Sequence, residues 1–428
     1  MPRFRAVTGR MVLNTVLVAA AIFVFTYALI SFRNLPGIRA GRGAAAAAGG
    51  TLMVLFGIVS PGDVPGLINH DVILLLLGMM MLVIGLEFSG FFGIVSGILV
   101  RHSGNKVRLL AYVMIVCAVL SAIALNDAIV LIFTPIVIKC CRSTNANPIP
   151  YLIGVMFSAN IGSLITPIGN PQNAYIASEA GIPFADFAMH TIPVSILCLP
   201  VAFLLICIIF RKNLTSGPCV GQEYPDPGVD RIRLRATVTI TLGALIGFAV
   251  SDMIGIETYV IAMTAGTAAL AVVMSKSPGN IVWVAKKIDW GVLVFFIGLF
   301  VLIGGVSGSG LLDQIASLFP GFGEGETPSV VGVTIFSAIL SNLVSNVPAT
   351  VMIADMLPAG DMALWLALAA SSTLAGNATL IGSAANVIVT ERSAADGISF
   401  DFWKFALIGI PVASITLLIA AGVLILTG

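Results

Sequence analysis

Apolar runs of roughly 20 residues follow one another along this chain with short polar gaps between them. That is the length a helix needs to cross a bilayer core. The runs predict membrane segments near 11–32, 43–60, 72–95, 107–139, 150–180, 190–210, 234–251, 256–275, 289–308, 328–354, 361–392 and 402–427. The first run is too long for a signal-peptide core and has no convincing cleavage site, so it reads as a retained helix. A few polar stretches break the pattern. In FSANIGSLITPIGNPQNAYIAS, residues 157–178, two prolines, two glycines and three asparagines stand inside an apolar region. Pro167 and Pro171 lack an N–H, and Pro171 pushes Asn170 out of helical geometry, so no helix runs straight through. In lipid, broken backbone survives only where it is buried in protein or lines a cavity.

The pattern of the first half returns in the second. GMMMLVIGLEFSGFF begins at Gly78 and GLFVLIGGVSGSGLL at Gly298, so that Gly78/Gly298, Gly85/Gly305, Ser89/Ser309, Gly90/Gly310 and Asn126/Asn346 coincide at an offset of 220. TPIGNPQNAYI from Thr166 meets TLIGSAANVIV from Thr379 at an offset of 213. Polar and glycine positions that recur in order along most of each half point to a duplication, a recurring feature of transporters. The expected organisation is a first repeat over 1–212, a cytoplasmic linker over 213–233 and a second repeat over 234–428. The first contains a hairpin at 107–141 and a broken helix at 150–180. The second contains a hairpin at 328–356 and a broken helix at 361–392.

Charge changes this picture by assigning sides. Arg108 precedes the first hairpin and Lys139 and Arg142 follow it, whereas Glu324 and Glu326 precede the second and Asp355 and Asp361 follow it. Both therefore read as re-entrant, with arms too short for full crossings. Each half then has five spans plus one hairpin, and the odd number inverts the second half. This arrangement leaves only Arg3, Arg5 and Arg10 of the 21 Lys and Arg residues on one face. The positive-inside rule makes the other face cytoplasmic and puts both termini outside. The expected fold class is thus an all-α membrane protein with two inverted repeats and broken helices at the midplane.

Composition excludes several functions. Of 428 residues 58% are hydrophobic and 10% charged, with a mean hydropathy of +1.07 and a net charge of +1. No basic face suggests nucleic acid. The six cysteines form no CxxC, so neither a zinc site nor a disulfide framework is expected. His70, His102 and His190 fall at segment ends, and no HExxH, paired intramembrane aspartate or Ser/His dyad appears, so an enzyme is not expected. Cys140-Cys141 reads as a pair of small buried thiols, and the glycines at 78, 85, 298, 304 and 305 as close helix packing.

Four polar interruptions fall at membrane depth, two per half: the tip Leu125-Asn126-Asp127, the break at 166–173, the tip Ser345-Asn346-Val347-Pro348 and the break at 376–386. Broken helices expose N–H groups that favour anions and carbonyls that coordinate cations. A repeat-related set of such breaks reads as a binding site; packing between helices is the plainer reading of any one asparagine. Asp127 needs a cation, a proton or water, and reads as a coupling acid or as a cap on the second hairpin helix. Glu87 is equally a snorkelling or a coupling group, and Asp355 marks the exterior edge.

The segments SANIGSLITPIGNPQN, NDAIVLIFTPIVI and SNVPATVMI resemble the ion transporter superfamily, which includes divalent anion:sodium symporters, citrate permeases, the antiporter NhaD and the arsenite pump ArsB. Within it the chain is most similar to the YbiR-like anion transporter branch. The resemblance runs over nearly the whole chain. It implies a homodimeric scaffold with a mobile domain that carries the site in an elevator movement. Carried over by motif, Asn126, Asp127, Gly169 and Asn170 form a first site. Ser345, Asn346, Gly382 and Ser383 form a second, with Thr166, Asn173, Thr379 and Asn386 beside them. Asn126, Gly169, Asn346 and Gly382 are the candidate sodium ligands. The dicarboxylate members carry Ser-Asn-Thr at both tips; here the tips read Leu-Asn-Asp and Ser-Asn-Val, a departure that favours proton coupling and speaks against a dicarboxylate. The expected function is a secondary active transporter of a small anion or oxyacid in the inner membrane, coupled to protons or sodium, with no other cofactor. The alternatives are an arsenite or antimonite efflux permease and a sodium/proton antiporter.

Overall fold

The structure is a computed structural model describing residues 9–31, 41–102, 104–214, 229–275, 281–317, 322 and 328–427. Most of the expected linker (215–228), Cys219, Glu324, Glu326 and the cations Arg3, Arg5, Arg33, Arg39 and Lys276 lie outside the described residues. In the first half the helices are α1 (Gly9–Ser31), α2 (Arg42–Leu55), α3 (Val64–Leu67), α4 (His70–Phe88), α5 (Phe91–His102), α6 (Lys106–Ile123), α7 (Asn126–Ser143), α8 (Pro148–Ser163), α9 (Pro171–Ala180), α10 (Phe184–Ile209) and α11 (Arg211–Leu214). In the second they are α12 (Arg231–Ile254), α13 (Thr258–Met274), α14 (Ile281–Lys287), α15 (Trp290–Gly308), α16 (Leu311–Ala316), α17 (Val330–Val344), α18 (Asn346–Ala354), α19 (Met362–Ala375), α20 (Ala384–Ala395) and α21 (Phe402–Thr427).

Among the described residues six helices, α4, α6, α10, α12, α15 and α21, are long and apolar enough to cross a bilayer. Leu204, Ile208, Ile246, Leu407 and Leu418 are large, apolar and exposed on these helices. A water-facing surface would bury such side chains; acyl chains solvate them. Short polar residues mark the helix starts. Asn69, Asn105, Asn147, Asn170, Asp230, Asp289, Ser329, Asp361 and Ser383 each accept a hydrogen bond from a first-turn N–H. Each such cap is worth about 1 kcal/mol.

The helices form two packed groups. In one, α4 packs on α13 and α15 on α2, with α1 against α2 and α12 against α13. The expected small-residue packing lies here: a methyl group at Gly78 would meet the Ala262 and Met263 backbone, and one at Gly298 the Ala46 and Ala47 backbone. The other group holds α6 on α8, α17 on α19 and α10 on α21, with α7 against α20 and α9 against α18. At its centre every residue of α8 from Pro150 to Ser163 is buried, as is every residue of α19 from Leu364 to Ala375.

Two expectations change. The apolar segment 72–95 is not one helix: α4 stops at Phe88 and α5 begins at Phe91. Gly90 takes φ +81°, and Gly310 does the same between α15 and α16 with φ +80°. Residues with a Cβ rarely adopt that conformation, so the repeated Ser-Gly pair is a helix stop. The first hairpin's arms are also not too short to cross: α6 and α7 have 18 residues each, and α6 is long and apolar enough to span a bilayer. The arms of the second hairpin, α17 and α18, have 15 and 9 residues. Glu87 is held in an ion pair: its carboxylate accepts a 2.6 Å hydrogen bond from Lys287 Nζ, which also lies 4.8 Å from the Trp283 ring centroid.

Candidate functional site

The break between α8 and α9 is held open by Asn173. Its Nδ2 donates to the carbonyls of Ser163 at 3.1 Å and Thr166 at 3.3 Å, two acceptors stranded where α8 ends. Asn170 caps α9: its Oδ1 accepts from the Asn173 N–H at 2.8 Å, and its Nδ2 donates to Ser163 Oγ at 3.0 Å. Gly169 is required by space, because a Cβ there would press on the Ser163 backbone. The tip of the first hairpin docks on this break through the Asn126 N–H, which donates to the Gly169 carbonyl at 2.8 Å. Thr166 Oγ1 donates to the Ala122 carbonyl just before the tip.

The break between α19 and α20 is built the same way. Asn386 Nδ2 donates to the Gly376 carbonyl at 2.8 Å and to that of Thr379 at 3.0 Å. Ser383 caps α20 by accepting from the Asn386 N–H at 3.2 Å. Thr379 Oγ1 donates to Asn342 Oδ1 at 3.2 Å, and Gly382 lies against Gly376, Asn342 and Thr379. The second tip reaches this break through Asn346, whose Nδ2 lies beside Gly376. Ser345, which precedes it, has φ +77° and ψ 158°, a region used almost only by glycine that costs about 1–3 kcal/mol.

The residues carried over by motif therefore gather as two sets, Asn126, Thr166, Gly169, Asn170 and Asn173 in one and Asn346, Thr379, Gly382, Ser383 and Asn386 in the other. Ser345 supplies a strained turn without a side-chain cap. Asp127 stands half-buried in the first turn of α7 and is not its cap; the cap position is Leu125, and no side chain closes it. The charged groups that act on Asp127 are Arg42 at the start of α2 and Asp289, the cap of α15. Asn126 Oδ1 and Asn346 Oδ1 are buried and have no hydrogen-bond partner among the described residues. A buried polar atom without a partner is unusual enough to require a reason.

The motif reading did not single out Asn160, Ser163, Thr373 and Asn377. All four are fully buried or nearly so and lie inside the two networks. The offset of 213 that aligns the breaks also aligns Asn160 with Thr373 and would have found that pair.

The weight of Asn173 is testable. Asn173→Ala strands two buried carbonyls and is expected to cost about 3 kcal/mol. A thermal melt in detergent checks this; an unshifted transition would mean that other contacts hold the break.

A membrane-embedded bundle of apolar helices, two of them interrupted by buried, hydrogen-bonded carboxamide networks, defines an integral membrane transporter. The solved structure of the Alcanivorax borkumensis YdaH transporter shares the fold, with a TM-score of 0.56 at 16% identity over 96% of this chain and 97% of that one. The chain belongs to the citrate transporter family, whose profile matches residues 27–370. Among curated relatives it is 27% identical to a Dictyostelium discoideum protein named as the transporter arsB, over 96% of this chain and 92% of the relative. It is 27% identical to the rice silicon efflux transporter LSI3, over 93% and 95%. To the Escherichia coli inner membrane protein YbiR it is 28% identical, over 84% and 91%. The expected resemblance to YbiR-like and ArsB-like transporters is thus borne out.

Proposed function

We propose that this protein is a secondary active transporter of a small oxyacid, carried chiefly in its uncharged form and coupled to a cation gradient across the inner membrane. The observation that carries this reading is the pair of matched half-sites, each a hairpin tip docked on a broken helix and each with one buried carboxamide oxygen lacking a partner. Both oxygens are buried, and a sodium ion or a proton on a neighbouring group would satisfy them. The solute would be met by amides, hydroxyls and helix N-termini, with no Lys or Arg among the site residues. This suits a hydroxyl-rich neutral acid or a weakly held anion.

Charge supports the neutral form. A cavity of about 310 Å³ opens beside the first break, bordered by Pro167, Ile168 and Ser178 and by the carboxylates of Asp71, Asp252 and Glu257. Three carboxylates and no basic residue among its lining disfavour an anion in this cavity relative to a neutral acid. The names of the arsB and silicon efflux relatives favour the same class of solute, and an arsenite or antimonite efflux permease remains the second reading.

In the movement we propose, the group of α1–α4 and α12–α15 forms the scaffold of a homodimer. The group of α6–α10 and α17–α21 carries the site across in an elevator stroke. The two halves are inverted repeats with both termini outside, so the bases of the two hairpins lie on opposite faces. In a cysteine-free background, a membrane-impermeant maleimide should label Asn145→Cys only from the cytoplasm and Ala359→Cys only from outside. Labelling of both from one face would refute the inversion.

Purified protein in proteoliposomes, with imposed pH or sodium gradients and a panel of arsenite, silicate, phosphate, sulfate, citrate and succinate, tests the function. Gradient-driven movement of arsenite or silicate is the expected result. Preference for a divalent anion would overturn the neutral-acid reading. Sodium-driven proton movement without any solute would identify an antiporter instead.

A further inference from the structure

The halves meet where α7 packs on α20 and α18 on α9. Directed side-chain hydrogen bonds also join the two half-sites through Asn160 on α8 and Thr373 on α19, equivalent positions that each reach into the opposite half. Asn160 Nδ2 donates to Asn377 Oδ1 at 2.8 Å, Ser383 Oγ at 3.2 Å and Asn386 Oδ1 at 3.4 Å. Thr373 Oγ1 accepts from Asn170 Nδ2 at 3.2 Å and Gln172 Nε2 at 3.4 Å, and donates to Asn173 Oδ1 at 3.4 Å. Each half thus grips the cap and the break-holding asparagine of the other.

The orientation of these amides follows from their partners. Asn386 spends its Nδ2 on two carbonyls, so its Oδ1 faces Asn160 as an acceptor. Asn160 must therefore present its NH2, and Asn377 must turn its oxygen toward it. The contact is a directed chain, in which rotation of one amide breaks bonds on both sides. In a buried, low-dielectric setting such chains act as one unit.

We propose that Asn160 and Thr373 are positioning residues that lock the two half-sites together, so that a cation bound at one hairpin tip orders the other. This rests on the reading of the tips as cation sites. A cation at Asn346 would fix the second tip against the Gly376–Asn386 break; Asn386 and Ser383 would then hold Asn160, whose helix ends at Ser163 under the first break. Thr373 carries the same influence in the opposite direction. The coupling makes partly loaded states rare, which prevents the mobile domain from crossing with one ion.

The test titrates purified full-length protein with NaCl against choline chloride at constant ionic strength, and separately with pH, and reads thermal stability. The wild type should respond with a Hill coefficient approaching about 2, the limit for two coupled sites. Asn160→Ala and Thr373→Val should lower it to about 1 while keeping a cooperative melt, and Thr373→Ser, which retains the hydroxyl, should restore the wild-type slope. If Asn160→Ala does not fold, the Thr373 pair decides. An unchanged slope in Thr373→Val overturns the coupling and leaves the site reading intact. A wild type that responds to neither sodium nor pH removes the cation sites and the coupling with them.

Discussion

Asp127→Asn is expected to abolish gradient-driven accumulation while leaving solute exchange across the membrane in place. The substitution keeps the shape of the side chain and removes its charge and its titratable proton. Asp127 is the single acid at either hairpin tip; the equivalent residue in the second half is Val347. Coupling through this position is therefore asymmetric, and no second acid compensates. Moving one elementary charge through about 100 mV is worth about 2.3 kcal/mol, so losing one coupled charge lowers the accumulation ratio by roughly 50-fold. Uptake and counterflow measured on the same proteoliposomes separate driving from exchange; accumulation at the wild-type level in Asp127→Asn would remove this residue from the coupling step.

Gly169→Ala is expected to be far more damaging than Gly382→Ala, although the two positions are equivalent in the repeat. At Gly169 a Cβ meets three backbone atoms of Ser163, all closer than any real Cβ contact. Backbone at the end of a fully buried helix has nowhere to move, and the same shift would pull the Gly169 carbonyl from the Asn126 N–H. At Gly382 the nearest atoms are the Gly376 carbonyl oxygen at 2.9 Å and two side-chain ends, Asn342 Oδ1 at 3.0 Å and Thr379 Oγ1 at 3.1 Å. The two side-chain ends yield by a few tenths of an ångström, which leaves one backbone contact against three closer ones at Gly169. The expected costs are about 3 kcal/mol for Gly169→Ala and about 1 kcal/mol for Gly382→Ala, the two ends of the overpacking range. Thermal melts in detergent rank them, and solute uptake should be lost in the first and reduced in the second. Equal destabilisation would show that the two breaks are sterically alike.

Several features were legible because they are local. Pro167 and Pro171, four residues apart with Gly169 and Asn170 between them, disfavour a continuous helix, so the first break could be placed from residues alone. Asn173 and Asn386 also stood out, because their spacing from Thr166 and Thr379 is the same. The Ser89-Gly90 stop was hidden: apolar residues continue on both sides, and hydropathy does not register φ. The extent of the first hairpin was legible, but not that α6 is long enough to span, since a helix of 18 residues lies at the border between an arm and a crossing.

By itself the sequence determined that this is a polytopic helical membrane protein whose polar positions recur in order along its two halves, because length, hydropathy and recurring polar positions are properties of a line. Only the tertiary structure decided that Asn160 meets Asn377, Ser383 and Asn386, and that Thr373 meets Asn170 and Asn173. These partners lie roughly 200 or more residues apart. No periodicity encodes such a pairing; it follows from α8 and α19 being buried side by side, where each polar group must find its partner in the other half.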